Sequence, residues 1–150
     1  MNEKRSLLAV DGSDNSHRAA DYVGEAAAGG IGFHIELAAV LVAPDADIFS
    51  DKTSFQAERD KRAGDAAQAL HMARETLISK GVDAGAIGMR TMSCLDMDVA
   101  GTILAVRQEA ECGTVAVGRR GLSKAEEFLL GSISSRVVRH AKDFTVWVVG

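Results

Sequence analysis

The chain has 150 residues, of which 47% are apolar, 25% are charged and one is proline; this is the profile of one ordinary globular domain and excludes a disordered or collagen-like chain. A net charge of −4 argues against nucleic acid or an anionic membrane as the main partner, since both demand clustered Lys and Arg. Cys94 and Cys112 form neither a C-x-x-C pair nor a metal-knuckle spacing, so reduced thiols are expected. The first apolar run is too short for a signal-peptide core or a membrane span, which makes the cytoplasm the expected location.

Leu7–Val10 reads as a buried strand that feeds the turn Asp11-Gly12-Ser13-Asp14. Ser13, Asp14 or Ser16 can cap the helix that follows, whose Ala20, Val23 and Ala27 share a face until the glycines at 29, 30 and 32 stop it. Ile35–Val42 is a second buried run. From Asp45 to about Phe55 periodicity is lost, and it returns with Ala66, Leu70, Ala73 and Leu77 in a helix that Gly81 ends. A weaker strand spans Ala86–Met92 and leaves Cys94 on a loop. Asp96 or Asp98 then caps a helix striped with Val99, Ile103, Val106 and Ala110. Cys112–Val117 is the fourth strand, Ser132 opens the last helix, and Thr145–Val149 is the fifth strand, expected at a sheet edge. Five short buried strands alternating with four helices predict a single α/β domain over residues 1–150, a five-stranded parallel sheet covered on both faces by helices. Ligands of such sheets bind beyond the carboxyl ends of the strands, so the ends of strands one and four are where chemistry is sought.

Directly after the fourth strand comes Gly118-Arg119-Arg120-Gly121, then nine residues, then Gly131-Ser132 at a helix start. Glycines at 118 and 121 can take φ > 0 and admit a phosphate close to backbone N–H groups. Gly131 and Ser132 offer unpaired amides at the positive end of a helix dipole, with a hydroxyl beside them. Singly, each residue is as well explained by a strand end or a helix cap. Together, three glycines and a Ser at these offsets arise by chance in under roughly one in a hundred chains of this length.

The spacing G-x2-G-x9-G-S, with Leu-Leu-Ala-Val-Asp-Gly-Ser near the start and Gly-Ser-Ile-Ser-Ser-Arg-Val-Val-Arg-His-Ala near the end, resembles the universal stress protein family. The resemblance implies a Rossmann-like sandwich of the adenine nucleotide alpha hydrolase type that binds ATP, ADP or AMP. It places Val10 and Asp11 at the end of strand one, with Asp11 beside the ribose or a nucleotide-bound Mg²⁺, and brings the Val40 backbone to adenine. Gly118, Arg119, Arg120 and Gly121 would wrap ribose and phosphates, and Gly131, Ser132, Ile133 and Ser134 would bind the phosphate chain. It further implies a homodimer formed through the last strand, Val146–Val149. The two arginines depart from the small or polar residues usual in this loop; they either pair with phosphate or form a solvated turn.

His17, His34, His71 and His140 have no i, i+4 partner, which argues against a zinc hydrolase. With no general base, nucleophile or metal cluster in view, a regulatory nucleotide-binding role in the stress response is expected, with hydrolysis slow or incidental. The alternatives are an interaction module of the same fold with an empty cradle, and a slow nucleotide hydrolase or transferase using Asp11.

Overall fold

The computed structural model describes residues 2–94, 98–120 and 130–150. In chain order it contains β1 (Asn2–Ala9), α1 (Asp14–Ala27), β2 (His34–Val42), α2 (Lys52–Ser79), β3 (Ile87–Cys94), α3 (Val99–Glu109), β4 (Cys112–Gly118), α4 (Ser132–Arg139) and β5 (Thr145–Val149). The strands form one sheet in the order β3-β2-β1-β4-β5, and every neighbouring pair is parallel. The α/β class with five strands and four helices is therefore as the alternation predicts, and β5 is an edge strand.

Strand alternation divides the core into two layers. Leu8, Leu37, Ala39 and Ala116 point to one face, where Ala20 and Val23 of α1 and Leu70, Ala73 and Leu77 of α2 cover them. Leu7, Ala38, Val115 and Val117 point to the other, against Ile103 and Val106 of α3 and Val137 of α4. Both faces of the central strands are buried, which is why their sequences are unbroken apolar runs.

The bounds of β1, α2 and β3 differ most from the sequence reading. β1 begins at Asn2, whose N–H donates to the Glu111 carbonyl, because its first residues are exposed and only the buried part carries an apolar signal; it ends at Ala9, so Val10 lies just beyond it. α2 starts at Lys52, capped by Asp51. Its first turns are mostly solvated and show no apolar stripe, so periodicity marks only the packed half. The Ser54 amide on Asp51, 2.7 Å away, holds that carboxyl below its usual range. β3 continues to Cys94, which is therefore a buried strand residue and not a loop thiol. Cys112 is also buried, and desolvation pushes its thiol up.

Ser6 on β1 is 1% exposed, and its hydroxyl has no hydrogen-bond partner among the protein groups described. Ser6→Ala is expected to raise stability by about 1 kcal/mol, because an unpaired buried hydroxyl costs more than it returns. Urea unfolding measures this; a fall in stability would show that the hydroxyl is satisfied.

Candidate functional site

The strand order turns outward from β1 in both directions, toward β2 on one side and β4 on the other. The crevice between the carboxyl ends of β1 and β4 is thus the topological switch point where ligands of open α/β sheets bind. Three segments converge there.

The first follows β1. The Val10 side chain is buried against α1 and α2 and its N–H donates to the Ala38 carbonyl at 2.9 Å, so it presents only backbone to the crevice. Asp11 is exposed, and its Oδ1 accepts the Ser13 N–H at 2.9 Å, forming an Asx turn. Gly12 takes φ +80°, a value a side chain would resist. Of the three candidate caps, Ser13 caps α1, its Oγ accepting the Ser16 amide at 3.2 Å.

The second is the end of β2. Since the Ala38 carbonyl turns toward β1, strand alternation turns the N–H and C=O of Val40 the same way, past the residue where β1 has ended. Its side chain packs with the α3 and α4 layer.

The third joins β4 to α4. Gly118 does not adopt φ > 0. It is glycine for a different reason: a Cβ there would lie 2.9 Å from the carbonyl carbon and Cβ of Asn15, so the end of β4 runs against the first turn of α1. Asn15 Nδ2 donates to the Arg120 carbonyl at 3.2 Å. The Arg119 peptide ties the region together, its N–H donating to the Val149 carbonyl and its C=O accepting the Gly131 N–H at 2.9 Å. The Arg119 side-chain stem lies along Gly150, and Arg119 and Arg120 are both half-buried. Gly121 falls outside the described residues, as does Asp96, and Asp98 caps α3.

Gly131, not Ser132, is the N-cap of α4. The cap residues of α1, α2 and α3 each accept an amide hydrogen bond through a side chain, whereas Gly131 has no side chain to offer and α4 begins without such a bond. The first intrahelical bond runs from Ser135 N–H to the Gly131 carbonyl, so the amides of Ser132, Ile133 and Ser134 lack intrahelical acceptors. Ser132 is exposed and the Ile133 side chain packs into the core. Ser134 is buried, and its Oγ lies 2.7 Å from the Arg119 carbonyl and 3.1 Å from that of Gly131. Its hydroxyl thus serves as a strut between the two halves of the loop, and the backbone is what it presents to a ligand.

A model of the universal stress protein family matches residues 3–150. The chain belongs to the universal stress protein family. A universal stress protein solved in complex with cAMP is 26% identical to it, with 97% of this chain and 96% of that chain covered and a TM-score of 0.68. Two more distant members of known structure share the fold. UspA from Lactobacillus plantarum is 20% identical over the full length of both chains with a TM-score of 0.70. A protein from Archaeoglobus fulgidus, solved with dAMP, is 15% identical over 99% and 98% of the two chains with a TM-score of 0.64. Among curated proteins none matches this sequence significantly.

Two cavities of this universal stress protein lie away from the crevice. One of about 190 Å³ sits at the amino ends of the strands, lined by Arg5, His34, Glu36, Gly88 and Cys112 among others. A smaller one of about 80 Å³ lies beyond β2 and β3 near Pro44, Arg59 and Cys94. Neither gathers the uncapped amides or Asp11. Among the described residues no cluster of three or more His, Cys, Asp or Glu could hold a metal ion, and no helix is long and apolar enough to cross a membrane.

Proposed function

We propose that this protein binds an adenine nucleotide at the carboxyl edge of β1 and β4, as a regulatory stress-response protein and not as a robust catalyst. The observation that carries the reading is the uncapped start of α4. Amides at a helix N-terminus attract an anion through unmet hydrogen bonds and the helix dipole, and here the cap position is held by a glycine that competes for none of them. The relative solved with cAMP supports adenine nucleotide as the ligand class.

In this reading the amides of Ser132, Ile133 and Ser134 hold the phosphate chain, with Gly118 to Gly121 along the ribose and phosphates and the Val40 backbone at adenine. Asp11, with Val10 behind it, faces the ribose or a Mg²⁺ carried by ATP. One carboxylate suits that ion, which keeps several waters and takes its other ligands from phosphate oxygens. The bound nucleotide supplies charge and bulk at the mouth of the crevice, which alters the surface offered to a partner. The protein works in the cytoplasm as one domain and pairs with a second copy through the outer edge of β5, Val146–Val149, beside which no other described strand lies and whose backbone groups invite another strand.

Calorimetric titration with ATP and AMP tests this. Saturable binding is expected; no heat and no thermal shift at millimolar nucleotide would leave the fold as an interaction module with an empty cradle.

A further inference from the structure

Asp98 makes two kinds of contact at once. As the cap of α3 its Oδ1 accepts the Gly101 amide at 2.8 Å. The same carboxylate meets Arg136 of α4 with two prongs, one guanidinium nitrogen 2.7 Å from Oδ1 and the other 3.1 Å from Oδ2. A Cβ on Gly101 would fall on this carboxylate, so the glycine is what leaves it room. α3 is fixed to the sheet by Ala100, Ile103 and Val106, all buried. α4 has only eight residues; Ser134, Val137 and Ile133 set its depth against the sheet, and the Arg136 guanidinium links it sideways to the cap of α3. Arg136 lies about one turn from the uncapped amides of Ser132 and Ile133.

Resting on the nucleotide reading above, we infer that Asp98 and Arg136 are positioning residues that hold the start of α4 at the angle a phosphate requires. The two-pronged geometry fixes orientation as well as distance, which a single contact does not. The pair is half-exposed, so its contribution to overall stability is small, while a small rotation of α4 redirects several amides together.

The sign of one substitution separates positioning from simple charge attraction. Asp98→Asn keeps a good helix cap but removes a negative charge near the phosphate site, which by electrostatics alone tightens binding of an anion. Loss of alignment weakens it. AMP and adenosine affinities are therefore to be measured for wild type, Asp98→Asn, Arg136→Gln and the double variant, with circular dichroism confirming the fold.

Each single variant is expected to bind AMP at least threefold more weakly and adenosine within twofold of wild type, and the double variant to lose no more than the worse single one. Unchanged or tighter AMP binding by Asp98→Asn overturns the clamp, as does weakening by Arg136→Gln alone, which would mean that Arg136 attracts phosphate directly. Equal losses for AMP and adenosine also overturn it, since a merely structural role weakens both. Wild-type protein that binds neither ligand overturns the nucleotide reading itself, and the role of the pair with it.

Discussion

Gly131→Asp is expected to weaken AMP binding at least tenfold while leaving the melting temperature within a few degrees of wild type. Gly131 has φ −60° and ψ 162°, an extended conformation that any residue adopts, so the backbone raises no objection. Aspartate is among the best N-cap residues and better than glycine by a few tenths of a kcal/mol, and its charge at the helix start is favourable. The stabilisation comes from accepting the amides that a phosphate needs, and a second negative charge is placed beside the ligand. Tenfold corresponds to about 1.4 kcal/mol, less than one charge-assisted hydrogen bond contributes. The added Cβ would stand 3.3 Å from the Arg119 carbonyl oxygen, a tight contact that the neighbours must relieve by a small shift. Gly131→Ala carries that shift without the carboxylate, and is expected to lose less affinity than Gly131→Asp. Equal losses for the two variants would assign the effect to crowding.

Gly118→Val is expected to lower stability by about 2–3 kcal/mol, the cost of overpacking, which for a chain of this size is a fall of roughly 5–10 °C in Tm. The atoms a side chain would meet are the carbonyl carbon and Cβ of Asn15 at 2.9 Å and its carbonyl oxygen at 3.1 Å. These belong to the first turn of α1 and cannot swing away as the end of a flexible side chain would. Relief requires the end of β4 to part from α1, which breaks the bond from Asn15 to the Arg120 carbonyl and shifts the loop that leads to the phosphate site. Nucleotide affinity is expected to fall with stability. Asn15→Ala, which removes the hydrogen bond without the clash, is expected to cost only about 1 kcal/mol. A wild-type Tm for Gly118→Val would mean that strand and helix approach less closely than described.

The layered fold was legible because it rests on patterns a sequence states locally. Leu7 and Leu8 fall in one apolar run and point to opposite layers, which is what a parallel sheet buried on both faces demands. The start of α2 was not legible, because Lys52 to Asp65 face mostly solvent and a solvated helix needs no stripe. Within the loop between β4 and α4, the glycine spacing left two internal roles unread. Gly118 serves close approach and not left-handed backbone, and the Ser134 hydroxyl braces the loop. Both depend on partners far along the chain, Asn15 in one case and Arg119 in the other. Asn15 itself went unnoticed for the same reason: its contact lies 105 residues away, and nothing local distinguishes it from any polar residue in a first helical turn. The Asp98–Arg136 pair is likewise a product of how α3 and α4 pack.

Among the described residues, the uncapped start of α4 and the cavity around Arg5 and His34 lie at opposite ends of the strands, and both present hydrogen-bond donors. An amide-resolved NMR titration with AMP distinguishes them in one experiment. The account predicts saturable shifts at Ser132, Ile133 and Ser134, with Asp11 and Val40 moving at the same ligand concentrations and Arg5 and Gly88 still. Shifts concentrated at Arg5, His34 and Gly88, or none anywhere at millimolar AMP, would contradict it.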